Sequence, residues 1–524
     1  MKKRVLTILN ILALLIISII IVGSFFIKSK FPMVSVDELY FYATNGVTNS
    51  DNNVFILAIK TCLPFVVLLT ILFSAILYDI SFGHFNFICK IKKKNKRKKQ
   101  IQLYPLQKIY DHRKIATLVL FIISLIIAAY NINGITFIKN SSTKSKFIEI
   151  NYIYPKKTQI EFKEKRNLIL IVVESLETTF FTKNQGGSWD YGVTKELYKL
   201  TKEKDSTAFY QNKVGQEMEK VEGATWTTGS VITNTSGIPF KIPIDGNSYR
   251  SNNFLNGAYT LGDILKENGY NNELITSARA SFGGLDNYFT KHGKYNIIDA
   301  DNVDKYNLKI GKNDLNDWGF SDRFLFNAAK KRLKTLTEEN KPFNLNLITI
   351  DTHFTDGNIY DYSINKYDAR YENAYATTSK LIYDFVNWIK TQDFYENTAI
   401  VIVGDHLSMQ HDFFKERNVK KRYIYNCYIN SNEKPIKTKN RVYTALDTYP
   451  STISAIGGKI KGERLGLGVN LFSSKKTLPE KYTLKKVNKE ILKKSKFYND
   501  KILGKDYKKM KETKEWVVCL RLDQ

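Results

Sequence analysis

The side chains best suited to chemistry fall at three places in the chain. Glu174-Ser175-Leu176-Glu177 follows the apolar run NLILIVV, and Gly404-Asp405-His406 follows TAIVIV. Each run ends in an acid, the second with an imidazole beside it, and this donor set suits a divalent cation of intermediate hardness such as Mn²⁺ or Zn²⁺. Between them lies Gly223-Ala224-Thr225-Trp226-Thr227-Thr228-Gly229-Ser230, a hydroxyl-rich stretch bracketed by glycines. A hydroxyl held on a cation loses its proton more easily and can attack phosphorus as an alkoxide, leaving a covalent phospho-threonine. One at a time, these residues also fit plainer roles: an acid at a helix N-terminus, an ordinary loop, a polar turn. Two such strand ends in one sheet favour the cation.

The elements that must position them form an α/β pattern. From about residue 163 onward, short apolar β-rich runs alternate with amphipathic stretches, as in a mostly parallel sheet covered by helices on both faces. The runs at 167 to 173, 344 to 350 and 398 to 403 lack polar alternation, as fully buried strands do. Helices are expected at 259 to 268, 322 to 337 and 366 to 391, and a loop entering a helix at 442 to 456, interrupted at Pro450. Ligands of open α/β sheets bind beyond the carboxyl ends of the strands, which is where Glu174, Asp405 and His406 fall.

Three earlier segments, 6 to 27, 54 to 80 and 115 to 138, are long and apolar enough to cross a hydrocarbon core, which takes roughly 20 helical residues. Lys60 lies near one end of the second and can snorkel to the interface. The first is read as a span and not as a cleaved signal peptide, since no small-x-small site follows it. Lys2, Lys3 and Arg4, and the run from Lys90 to Lys99, should stay cytoplasmic, so three crossings deliver the rest of the chain to the outer face. The expected organisation is a membrane region at 1–140 with a basic cytoplasmic loop at 81–114, a linker at 141–162, a catalytic domain at 163–475 and a lysine-rich peripheral tail at 476–524.

The formal net charge of +28 invites a nucleic-acid reading. A basic run beside a membrane helix is instead a topology determinant or an anionic-lipid contact, and no nucleic-acid partner is expected. Cys62 and Cys89 belong to the membrane region; a disulfide between Cys427 and Cys519 is permitted by the outer location and not implied by spacing.

In order along the chain, NLILIVVESLETTFF, GATWTTGSVITNTSGIPF, LGDILKENGY, ITIDTHFTDG, VIVGDHLSM and ALDTYPSTISAIGG with RLGLGVNL resemble the phosphoglycerol transferase I family. More broadly they are similar to the lipoteichoic acid synthases and lipid A phosphoethanolamine transferases, within the sulfatase-like part of the alkaline phosphatase superfamily. The resemblance covers roughly 165 to 472. It implies an extracytoplasmic alkaline-phosphatase/sulfatase-like domain on a multi-pass anchor in the bacterial inner membrane. It makes Glu174, Asp405 and His406 ligands of one divalent metal, Mn²⁺ foremost with Zn²⁺ or Mg²⁺ as alternatives, and a threonine both the fourth ligand and the nucleophile. The Thr-x-x-Ser pattern of the phosphoethanolamine transferases favours Thr227, the Gly-x-Thr pattern of the lipoteichoic acid synthases favours Thr225, and Thr227 is preferred. His353, after the strand at 344 to 350, matches a histidine that contacts the substrate phosphate; His411 is a secondary candidate.

Where lipoteichoic acid synthases carry a tryptophan and arginine pair against the phosphoglycerol group, this chain has Ser281-Phe282-Gly283-Gly284-Leu285-Asp286, and Arg279 is a candidate for the missing cation. No Cys-x-Pro-x-Arg or Ser-x-Pro-x-Arg sulfatase nucleophile is present, and only His292, His353, His406 and His411 fall in the outer domain, which disfavours a two-zinc site. The resemblance thus implies phosphoglycerol transfer from phosphatidylglycerol to an extracytoplasmic glucan or other glycan, with release of diacylglycerol. The alternatives are a phosphoethanolamine transferase acting on the envelope and a non-catalytic membrane-anchored glycan-binding protein. The oligomeric state is open.

Overall fold

In a computed structural model the protein is described over residues 2–32, 34–45, 52–78, 87–92, 98–103, 109–157, 160–211, 217–242 and 254–504. The chain divides into two compact units, Met1–Val36 with Asn52–Ile138, and Asp37–Asp51 with Lys139–Gln524.

The first unit holds α1 (Lys2–Lys30), α3 (Asn52–Tyr78) and α4 (Arg113–Asn131), separated in sequence by the short α2 (Val36–Asn45) that belongs to the second unit. All three are long and apolar enough to cross a membrane. Leu14, Ile17 and Leu77 are buried between them. Polar links pin the same helices: Thr117 Oγ1 donates to Asn10 Oδ1 at 2.8 Å, and Asn131 Nδ2 to Ser24 Oγ at 3.0 Å. The third expected span, 115 to 138, stops at Asn131, because Asn133 turns left-handed (φ 56°) before a separate helix begins at Gly134. Within the basic loop, Phe87–Lys92 and Lys98–Leu103 pair as antiparallel strands.

The second unit is built on a seven-stranded sheet. Its strands are β1 (Asn167–Val173), β2 (Ser206–Thr207), β3 (Asn271–Thr276), β4 (Asn296–Ile298), β5 (Phe343–Ile348), β6 (Thr398–Gly404) and β7 (Asn426–Ile429), in the order β2-β7-β6-β1-β5-β3-β4. From β6 to β4 all neighbours are parallel; β7 runs antiparallel to both β6 and β2. Successive side chains of a strand face opposite ways. Accordingly Leu168, Leu170 and Val172 enter one core layer, and Ile169, Ile171 and Val173 the other. Both faces of β1 are dry, which is why its sequence shows no polar alternation.

One layer is closed by α5 (Thr227–Ser236), α6 (Leu261–Glu267) and α9 (Thr448–Ala455), the other by α7 (Asp322–Glu338) and α8 (Arg370–Lys390). Pro450 does not interrupt α9: it stands in the first turn, where its missing N–H has no intrahelical carbonyl to serve.

Two expected boundaries are corrected. Residues 141–162 are not a linker, since Phe147, Ile148 and Tyr152 are buried in the core and Ile160–Phe162 pairs antiparallel with Gly458–Ile460. Nor is the chain peripheral from 476: α10 (Leu484–Leu492) buries Val487 and Ile491, and Tyr498 and Ile502 follow them into the same layer. The lysines there face outward on amphipathic turns. Residues 505–524, including Cys519, lie outside the described residues; Cys427 is a free, fully buried thiol in β7.

Gly404 shows how tightly the strand ends are packed. A Cβ built there would lie 2.1 Å from the Leu176 carbonyl oxygen, a backbone atom that has no rotamer to yield with. Gly404→Ala should therefore destabilise the second unit by about 1–3 kcal/mol, seen as a lowered melting temperature of the full-length protein in detergent; an unchanged melt would contradict this packing.

Candidate metal and nucleophile centre

Parallel register brings the acids together. Val173 pairs with Gly404 across β1 and β6, so Glu174 and Asp405 leave the sheet side by side, and the Asp405 N–H donates to the Val173 carbonyl at 3.0 Å. Glu174, Asp405 and His406 are all buried and offer ligand atoms within 4.8 Å of one another, the one group of this kind among the described residues. His406 Nε2 stands 3.3 Å from Asp405 Oδ2 and 3.6 Å from Glu174 Oε1. Its Nδ1 lies 2.9 Å from the Leu407 carbonyl, which can only accept, so Nδ1 carries a proton and Nε2 is the ring atom turned to the acids.

Helix α5 brings the hydroxyl. Thr227, its first residue, donates from Oγ1 to Glu174 Oε2 at 3.1 Å and lies 3.5 Å from His406 Nε2. Ser230, one turn on, donates to the Asp405 carbonyl and ties the helix to the strand end. Thr225 is turned elsewhere: its Oγ1 donates to Glu38 Oε1 at 2.5 Å.

The remaining polar atoms hold the acids in place. Ser175, left-handed at φ 52°, donates through its backbone N–H to Asp405 Oδ1 at 2.7 Å and through Oγ to Glu174 Oε1 at 2.5 Å. Thr349 accepts from the Glu174 N–H at 3.0 Å, and Thr352 donates to the Glu174 carbonyl. Thr349, Thr352 and Glu38 were not singled out from sequence; Ser175 and Ser230 entered only as neighbours within the acid and hydroxyl motifs.

The electrostatics are those of a centre short of positive charge. Burial pushes Glu174 up, but the charges of His406 and His353 and hydrogen bonds from Ser175 and Thr227 outweigh it and leave the carboxyl below its ordinary value. For Asp405, burial and the Glu174 charge win, pushing it up to about 7. Burial draws the His406 imidazole down, yet Asp405 and Glu174 overcompensate and leave it raised. Asp405 Oδ2 is buried with no hydrogen-bond partner. A carboxylate oxygen with no hydrogen-bond partner, an imidazole nitrogen and a second carboxylate converging on one point fit a divalent cation.

His353 follows β5, half-buried, its ring 4.5 Å from that of Trp318, and its charge reaches Glu174. Phe282 packs edge-on to Trp318 with ring centroids 5.2 Å apart. Gly283, at φ 67°, passes so close to Thr228 that a Cβ would meet its Oγ1 at 2.1 Å, which accounts physically for glycine in the Ser281 to Asp286 stretch. Arg279 is engaged with Asp301, Nε to Oδ1 3.0 Å, and with the Trp318 carbonyl. His411 does not join the cluster; it starts a separate helix, and burial and the Arg422 charge pull it down to about 4.

The family model for sulfatases matches residues 166–457, more than half of the chain. Phosphoglycerol transferase I of Salmonella choleraesuis (strain SC-B67) is 28% identical over 316 residues, 59% of this chain and 39% of the relative, so the chain spans less than half the length of that curated relative. Among solved structures, the lipoteichoic acid synthase LtaP of Listeria monocytogenes is 18% identical with a TM-score of 0.44, covering 60% of this chain and 79% of its own. The lipooligosaccharide phosphoethanolamine transferase A of Neisseria meningitidis is 14% identical with a TM-score of 0.48, covering 86% and 84%.

Mn²⁺ titration of the purified protein should show one site, abolished in Asp405→Ala. In Ser175→Ala it should weaken by roughly tenfold to a hundredfold, the usual effect of losing a group that orients a ligand. Unchanged binding in Asp405→Ala would exclude this cluster as the site.

Proposed function

The chain belongs to the sulfatase family, and from that premise we propose that it transfers a phosphoglycerol group from phosphatidylglycerol to an extracytoplasmic glycan through a covalent intermediate on Thr227. The single observation that carries the mechanism is the placement of Thr227 Oγ1, 3.1 Å from Glu174 Oε2 and 3.5 Å from His406 Nε2, while Thr225 faces Glu38. The donor assignment rests on the named phosphoglycerol transferase relatives.

Glu174, Asp405, His406 and Thr227 would hold the cation. When bound, a divalent ion there would acidify the threonine hydroxyl and neutralise charge building on the phosphate oxygens. Mn²⁺ is favoured by the mixed carboxylate and imidazole set, with Zn²⁺ and Mg²⁺ as alternatives. Thr227 Oγ attacks the donor phosphorus, its proton leaving along the hydrogen bond to Glu174 Oε2. The bond from phosphorus to the diacylglycerol oxygen breaks, and His353, across from the acids, supplies the proton that oxygen needs. In the second half-reaction an acceptor hydroxyl attacks the phosphorus and gives its proton to His353, the bond from phosphorus to Thr227 Oγ breaks, and Glu174 returns its proton to the threonine, which makes the kinetics ping-pong. Arg279, held by Asp301 at the rim of the Phe282 and Trp318 cluster, is the cation proposed to face the transferred group.

The apolar helices would anchor the enzyme as a multi-pass protein of the bacterial inner membrane, with the sheet unit outside. The position of α2 supports this topology. Its residues from Asp37 belong to the sheet unit although they lie in sequence between the first and second apolar helices, so both must be on one side of the membrane. The basic residues at both ends of the opposite side agree with that orientation.

Full-length enzyme with Mn²⁺ and headgroup-labelled phosphatidylglycerol should release diacylglycerol and become labelled, and phosphatidylethanolamine should serve poorly. Release from phosphatidylethanolamine alone would reassign the donor; release from neither lipid, with metal bound and the fold intact, would end the transferase reading. Thr227→Ala should lose labelling, and Thr225→Ala should retain it at a reduced rate; the reverse pattern would make Thr225 the nucleophile.

A further inference from the structure

Helix α2 lies outside every motif above, yet it touches the loop that carries the nucleophile. Glu38, 3% exposed, accepts the Thr225 hydroxyl at 2.5 Å. Its charge also reaches His406. One turn on, Phe41, 1% exposed, packs against Trp226 with ring centroids 5.0 Å apart and against Phe240 at 6.2 Å. Glu38 and Phe41, three residues apart on one helical face, thus grip the two residues before Thr227.

That loop needs such a grip. Trp226 is extended (φ −152°, ψ 162°), and across an extended residue the neighbouring side chains point to the same side. Where Thr225 Oγ1 is held therefore bears on how Thr227 is presented to the Glu174 and His406 cluster. Gly223 and Gly229 close the loop from the other side: the Phe240 N–H donates to the Gly223 carbonyl at 3.1 Å, and Gly229 lies too close to the Trp226 indole to accept a Cβ.

We infer that Glu38 is a positioning residue of the active site: its hydrogen bond to Thr225 Oγ1 anchors the loop so that Thr227 presents its hydroxyl to the Glu174, Asp405 and His406 cluster. The segment between the first two apolar helices is then part of the catalytic apparatus and not a passive connector. The sheet unit expressed without residues 37–45 would lack both the carboxylate and the ring that fix the nucleophile loop. This inference rests on Thr227 being the nucleophile.

The test is a double-mutant cycle on the full-length enzyme, read as kcat and KM with phosphatidylglycerol and with the simple diester bis(p-nitrophenyl) phosphate. Glu38→Ala should lower kcat between about tenfold and a hundredfold with KM little changed, the cost of misplacing a reacting group by about an ångström. Glu38→Gln, which keeps an acceptor oxygen, should recover to within about threefold of wild type. Thr225→Val should reproduce the Glu38→Ala loss, and the double variant should be no slower than either single one. Wild-type kcat in Glu38→Ala, losses that multiply in the double variant, or a loss confined to KM would overturn the inference. If Glu38→Ala does not fold, Thr225→Val and Glu38→Gln decide: wild-type kcat in the first, or no recovery in the second, overturns it equally. Activity on the simple diester but not on the lipid defeats the donor assignment and still reads out Glu38. Wild-type enzyme inactive on both removes the transferase reading and this inference with it.

Discussion

Two carboxylates and an imidazole, all buried, are held within 4.8 Å of one another. At an effective dielectric near 20, two like unit charges about 4 Å apart repel by ~4 kcal/mol. Hydrogen bonds from Ser175 and Thr227 and the nearby histidines keep Glu174 ionised, while Asp405 is pushed up and keeps one oxygen with no partner. Much of the second unit serves to enforce this arrangement. The parallel register of β1 against β6 sets the two acids abreast, the close approach of Gly404 to Leu176 fixes the strand ends, and α5 is tied to Asp405 through Ser230. A divalent cation would convert this repulsion into attraction, which is the physical reason for such a charge cluster to be buried.

The same constraint divides the labour among the surrounding residues. Groups contributed by backbone, such as the Ser175 and His406 N–H donors to Asp405 Oδ1, fix where the acids point. Side chains then select what approaches. His353 leans on Trp318, and Trp318 on Phe282, a run of three packed rings. Glu177 performs a structural task close by: it pairs with Arg422 and accepts the Ser408 N–H at 2.8 Å, holding the loop that follows His406.

How much of this was legible in the chain follows from the range of each interaction. The strands of β1 and β6 were readable because both faces are dry, which leaves unbroken apolar runs, and their ends therefore marked Glu174, Asp405 and His406. The helices α7 and α8 showed because their apolar stripe recurs at helical spacing. The preference for Thr227 over Thr225 rested on two competing motif patterns, whereas the contact that sets Thr225 apart is with Glu38, 187 residues away in the chain. The stretch from 476 was read as a tail because it is lysine-rich and weakly patterned, and 141–162 as a linker because it falls between the last apolar segment and the first strong strand. Phe147, Val487 and Ile491 fill a core whose other walls lie far off in sequence. Pro450 misled for a different reason: proline breaks a helix interior but not a first turn, and α9 follows directly on a short 3-10 helix, Ala445–Asp447, capped by Thr444 and Asp447.

The account stands on a single covalent bond, that between Thr227 Oγ and the phosphorus of the transferred group. Enzyme quenched during turnover with phosphatidylglycerol and Mn²⁺, digested and sequenced by mass spectrometry, should carry the phosphoglycerol adduct on Thr227 and lose it when the metal is chelated beforehand. Diacylglycerol release with no adduct on Thr227, or with the adduct on Thr225, would contradict it.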